Sequence, residues 1–77
     1  MEKELKNIKE ILLNFDITAE INLNTLLADI GLDSIKIIEL VVLIEEFYDI
    51  EIEDEDLSGD NFYSIKSLIN MIKKYKN

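Results

Sequence analysis

Eight of the ten residues from Ile35 to Ile44 are apolar, and no other stretch of this chain restricts its fold so tightly. Many of them are β-branched, which on propensity alone would suit a buried strand. Strict alternation fails, however: Ile37 and Ile38 are adjacent, Leu40 through Ile44 are uninterrupted, and the run passes into the helix formers Glu45 and Glu46. With Asp33 as a credible N-cap, the segment is predicted to be a helix from Ser34 to about Tyr48. At about 100° per residue, Ile37, Leu40, Val41, Ile44 and Tyr48 fall on one side of that helix, enough to face a core. Ile35, Ile38 and Val42 form a second stripe near the opposite side, interleaved with Glu39, Glu45 and Glu46. A single amphipathic core helix has no need of it. Either a neighbouring loop buries the second stripe, or it is an exposed strip rimmed by carboxylates and suited to partners with an apolar groove flanked by Lys or Arg.

The rest of the chain supplies helices of ordinary kind. Leu5, Ile8, Leu12 and Phe15 place one apolar stripe on a first helix from about Met1 to Phe15. Residues 16–33 read as a long connection that Leu23, Leu26, Leu27 and Ile30 pin to the core, with Asn24 or Thr25 capping a short helical turn. Gly31 breaks the chain before the apolar helix. Residues 49–60 are acidic and read as a loop with at most a short helical turn. Ser64 caps a last helix bearing Ile65, Leu68, Ile69 and Ile72. The expectation is an all-α chain, with residues 1–77 as a single domain.

At 77 residues such a domain buries only about 60 % of the surface its unfolded chain exposes, so its stability is modest. Cys and His are both absent, which removes disulfides and the usual zinc and haem ligands. No metal site is expected. Net charge is −9, and between Glu10 and Asp60 Lys36 stands alone against 15 carboxylates. That field repels phosphate backbones and anionic lipid, so nucleic acid and membrane are poor partners and basic protein surfaces good ones. The charged start Met1-Glu2-Lys3-Glu4 is no signal peptide, and no run is long enough to span a bilayer, which points to the cytoplasm.

Ser34, in the run Gly31-Leu32-Asp33-Ser34-Ile35, heads the apolar helix. With no His to deprotonate it, its hydroxyl is poorly equipped as a nucleophile of the chain's own. A helix N-terminus does favour anionic groups, so a phosphate attached there is electrostatically tolerated.

These residues resemble an acyl carrier protein. Asp33-Ser34-Ile35 is similar to that family's Asp-Ser-Leu modification motif, with Gly31-Leu32 before it. Ile38-Glu39-Leu40-Val41 and Glu45 through Ile52 follow as they do in such carriers. The resemblance spans essentially the whole chain and implies a small four-helix bundle, three longer helices plus a short third one. It further implies that Ser34 carries 4′-phosphopantetheine, transferred from coenzyme A by a separate phosphopantetheinyl transferase that Asp33 assists. The carrier itself would catalyse nothing and would hold acyl groups as thioesters for fatty-acid, polyketide or related biosynthesis. By the same likeness Ile35, Ile38, Glu39, Val42, Glu45 and Glu46 bind partners, and Phe62 and Ile65 shield the arm or its cargo. The partners implied are an acyl- or aminoacyl-loading ligase, synthases and a thioesterase with basic docking surfaces, meeting a monomer.

Lys36 departs from the acidic residue common in fatty-acid carriers and resembles the Asp-Ser-Ile-Lys pattern of peptidyl carriers. A stand-alone aminoacyl or peptidyl carrier of a nonribosomal-peptide or D-alanylation-type pathway is therefore the alternative. Of another class is an acidic helical interaction module without prosthetic group, in which Asp33-Ser34 would be incidental. Asp54, Asp56, Ser58, Gly59 and Asp60 fit the first half of an EF-hand calcium loop. Ile65, however, stands where the essential bidentate Glu belongs.

Overall fold

A computed structural model describes residues 2–57 and 59–76. Three α-helices, α1 (Glu2–Leu12), α2 (Ser34–Tyr48) and α3 (Ile65–Tyr75), pack around one apolar cluster, and no strand occurs among the described residues. The expected all-α architecture is what forms. Short 3₁₀ turns at Asp54–Asp56 and Gly59–Phe62 stand where the resemblance places a short third helix.

α1 buries Ile8, Ile11 and Leu12. Its expected last turn, Leu13–Phe15, tightens to 3₁₀ geometry, because Asp16 closes it in the left-handed region (φ 59°) and turns the chain outward. Met1, the expected first residue of this helix, lies outside the described residues. Asp49 ends α2 in the same way (φ 55°), and both positions use aspartate, which tolerates this conformation better than most side chains.

The connection between α1 and α2 is pinned as expected through Leu27, which is buried, and through Leu23, Leu26 and Ile30, which are half-buried. Backbone bonds add to this. The N–H groups of Ile65 and Lys66 in the first turn of α3, which lack intrahelical partners, donate to the carbonyls of Thr25 (2.9 Å) and Leu23 (2.9 Å). Asn24 and Thr25 do not cap the Leu27–Ile30 turn; Leu26 holds the capping position without a side-chain bond. Thr25 Oγ1 instead accepts from the Asn22 N–H (2.9 Å), and Asn22 Oδ1 from the Asn24 N–H (2.8 Å). These side chains are spent on the turn just upstream, the local competition that such residues offer.

Ser64 caps α3 through a reciprocal box with Ser67. The Ser67 N–H donates to Ser64 Oγ (3.1 Å) and the Ser64 N–H to Ser67 Oγ (3.0 Å). From there α3 drives Ile65, Leu68, Ile69, Met71 and Ile72 into the core cluster that also holds Leu40 and Ile44 of α2. The chain ends are tied by Lys76 Nζ to Glu4 Oε2 (3.1 Å), and this ammonium holds the Glu4 carboxyl down at about 2.

Candidate functional site

The site begins in a four-residue turn whose members have separate jobs. Gly31 takes a left-handed conformation (φ 90°) that ends the Leu27–Ile30 turn, a geometry glycine adopts without strain. Leu32 is buried, and its N–H donates to the Leu27 carbonyl (3.1 Å), so the turn is anchored in the core. Asp33 caps α2, its Oδ1 accepting from the Lys36 N–H (3.0 Å). Ser34 then emerges exposed at the first helical position, its hydroxyl without a hydrogen-bond partner among the described residues.

Beside Ser34 the second stripe of α2 is open to solvent. Ile35, Ile38 and Val42 are 71 %, 67 % and 48 % exposed, and Glu39 and Glu46 flank them, also exposed. Glu45 behaves differently. It is half-buried and its Oε2 accepts from the Ile52 N–H (2.8 Å), so it braces the chain leaving α2 instead of rimming the strip. The helical wheel does not set it apart, because Glu45 and Glu46 lie about 50° to either side of the stripe's centre; only the return of the chain to Ile52 does.

The strip borders an apolar groove of about 500 Å³ that Ser34 also lines and that shares Ile38 and Val42 with it. Ile37, Ile38, Val41 and Val42 form one wall, and Leu57, Gly59 and Phe62 the other. Phe62 is thus brought to Ser34. Ile65 is not: it is fully buried under the Leu23–Thr25 backbone that takes the first N–H groups of α3, and it forms no part of the lining. Reasoning from the sequence misses Leu57, although it is the only apolar residue between Glu53 and Asp60. Apolar surface in so acidic a loop is the signal that marks it.

The outer wall is fastened to α3. Asp56 accepts from Lys74 Nζ (2.8 Å) and from the Tyr75 hydroxyl, and the Tyr75 oxygen accepts from the Glu53 N–H (3.1 Å). Lys74 first and Tyr75 second hold the Asp56 carboxyl below the usual aspartate range, while Asp56 raises both Lys74 and Tyr75. Asn61 Nδ2 donates to the Asp56 carbonyl (2.7 Å), and Ser67 Oγ to the Asn61 carbonyl (3.2 Å). Glu53, beside Glu55, is raised by their shared hydrogen bond and mutual repulsion. Among the described residues no group of three or more acidic side chains is placed to hold a metal ion; Ser58, one of the five residues of the calcium-loop pattern, lies outside them.

An exposed hydroxyl, unpartnered among the described residues, at the N-terminus of a 15-residue helix and beside an apolar groove suits a phosphodiester-linked arm: the helix end favours the anion and the groove offers apolar cover. Residues 7–72 match the family model described as "Phosphopantetheine attachment site". The chain is 36 % identical over 75 residues to an acyl carrier protein of Buchnera aphidicola subsp. Baizongia pistaciae, covering 97 % of this chain and 94 % of that one. It is 43 % identical over 56 residues to the acyl carrier protein of Buchnera aphidicola subsp. Schizaphis graminum, covering 73 % and 71 %. Its fold is similar to a chain in the crystal structure of engineered Bradyrhizobium japonicum glycine:[carrier protein] ligase complexed with carrier protein from Agrobacterium tumefaciens and ATP. That match has a TM-score of 0.80 and 32 % identity, covering 92 % of this chain and 97 % of the other. The chain therefore belongs to the phosphopantetheine-binding carrier proteins. Its cofactor is covalently attached 4′-phosphopantetheine. Among the described residues no helix is long and apolar enough to cross a membrane.

Proposed function

We propose that Ser34 bears the 4′-phosphopantetheine arm and that the protein holds acyl intermediates on it as thioesters for cytoplasmic biosynthetic enzymes. The observation that supports this most is the position of the Ser34 hydroxyl: exposed, without a hydrogen-bond partner among the described residues, at the start of α2, beside a groove that shares Ile38 and Val42 with the apolar strip. Attachment makes a bond from Ser34 Oγ to the phosphorus of coenzyme A and breaks the bond to its adenosine 3′,5′-bisphosphate. The serine proton passes to the transferase, since this chain has neither His nor Cys to take it. When bound, the arm supplies the terminal thiol that the chain lacks. Asp33 fixes the helix end by its cap and stands beside the reacting hydroxyl, where a transferase can use its exposed carboxylate. Ile35, Ile38, Glu39, Val42 and Glu46 form the docking strip for the transferase, a loading ligase, synthases and a thioesterase, while Glu45 holds the chain after α2 through Ile52.

A second reading, carriage of an aminoacyl group, is favoured by the likeness to a carrier complexed with a glycine:[carrier protein] ligase and by Lys36 next to the modification motif. The two are separated by loading. The phosphopantetheinylated protein is incubated with ATP and either a fatty acid with an acyl carrier protein synthetase or glycine with a glycine:[carrier protein] ligase, and intact mass is read. Acylation in the first reaction alone is expected. Glycylation alone would replace the acyl reading with the aminoacyl one, and loading by neither would contradict both.

A further inference from the structure

The groove wall opposite α2 includes Leu57, Gly59 and Phe62, and among the described residues the side-chain bonds of residues 53–62 lead to α3 or stay within that stretch. Asp56 is the centre of these bonds. It directly precedes Leu57, which is 43 % exposed and has no polar group to hold it. Its carboxylate is gripped by Lys74 and Tyr75, its carbonyl by Asn61, and Tyr75 also takes the Glu53 N–H. The segment therefore rides on the C-terminal turn of α3, while its border with α2 is the apolar groove itself. Charged groups facing Asp56 are Lys74 from α3, which holds its carboxyl down together with the Tyr75 hydroxyl, and Glu53 from its own segment, which it repels.

Resting on the reading that Ser34 carries the arm, we infer that Asp56 is a positioning residue for cargo. Through Tyr75 and Lys74 it holds Leu57 and Phe62 against the space beside Ser34, and so sets how well an apolar cargo is kept from water. Such a role separates cargoes by size. An octanoyl chain can reach the groove and gain from its wall, whereas an acetyl group has too little apolar surface to gain measurably.

The test uses the phosphopantetheinylated protein loaded with octanoyl or acetyl and follows loss of acyl mass at constant pH. Asp56→Asn, Tyr75→Phe and Leu57→Ala should hydrolyse the octanoyl thioester about threefold faster or more, as expected when a bond to a charged group or the wall itself is lost. Acetyl hydrolysis should stay at the wild-type rate. Lys9→Ala, an exposed change on α1 outside the groove lining, should change neither. Equal rates for octanoyl in Asp56→Asn and wild type, or equal acceleration of both thioesters, would overturn the inference. Amide hydrogen exchange on the unmodified protein gives a readout independent of the arm. Residues 59–62 should exchange faster in Asp56→Asn while Leu40 and Ile69 do not, and unchanged exchange at 59–62 would also overturn it. A failure of Ser34 to carry the arm is visible separately, as no mass gain before loading.

Discussion

Two isoleucines on α2, six residues apart, should respond very differently to the same substitution. Ile44 is fully buried in the core, so Ile44→Ala removes three carbons from packed surroundings and should cost about 2–5 kcal/mol. Ile38 is 67 % exposed. Only a third of the burial worth about 1.5–3 kcal/mol is at stake there, roughly 0.5–1 kcal/mol, and alanine's better helix propensity returns a few tenths. Ile38→Ala should thus cost less than about 0.7 kcal/mol. For 77 residues at about 0.05–0.15 kcal/mol each, total stability is roughly 4–12 kcal/mol, so the Ile44 change consumes a large part of it. Urea unfolding followed by far-UV circular dichroism measures both. With a slope of about 1 kcal/mol/M, the midpoint should fall by about 2 M or more for Ile44→Ala and by less than about 0.7 M for Ile38→Ala. Similar losses for the two variants would refute the assignment of one stripe to the core and the other to solvent.

Loss of the α2 cap in Asp33→Ala should lower stability by about 1 kcal/mol in the same urea assay, with the helical spectrum retained at neutral pH. Acid should weaken the fold through Glu4 and Asp56, whose folded carboxyls lie below their ordinary values. Their contribution is full above the ordinary carboxylate range and is lost as pH falls through the folded values, between an ordinary 4.5 and about 2 for Glu4. Melting temperatures from pH 7 to pH 2 should therefore fall less steeply at the acid end in Lys76→Met than in wild type; parallel curves would remove this role from the Glu4–Lys76 pair. Glu39→Lys and Val42→Asp should slow modification by a phosphopantetheinyl transferase severalfold with unchanged circular dichroism, and unchanged rates would place the docking face elsewhere.

Features that depend on neighbours along the chain are legible in the sequence. The turn from Gly31 to Ser34 is one in its break, cap and helix-heading serine, whereas the burial of Leu32 between them emerges only in the fold. The Ser64 cap and the two stripes of α2 are others, because capping is local and the helical period is fixed. Features that depend on which segments meet are not legible in this way. Thr25 is a credible cap by residue type, but its hydroxyl is used by Asn22 while its carbonyl serves Ile65, 40 residues later. Glu45 sits among carboxylates in the sequence, yet the chain after α2 folds back to give it Ile52. The Asp56–Tyr75 bond joins residues 19 apart and forms only once α3 has docked. The groove shares that origin, since one wall comes from α2 and the other from a loop of no regular pattern.

Attachment of the arm at the Ser34 hydroxyl is the central claim, and intact mass tests it most directly. Incubation of the unmodified protein with coenzyme A, Mg²⁺ and a broad-specificity phosphopantetheinyl transferase should add the mass of one phosphopantetheinyl group, and Ser34→Ala should add none. A gain that persists in Ser34→Ala, or no gain in the wild-type protein, would contradict it.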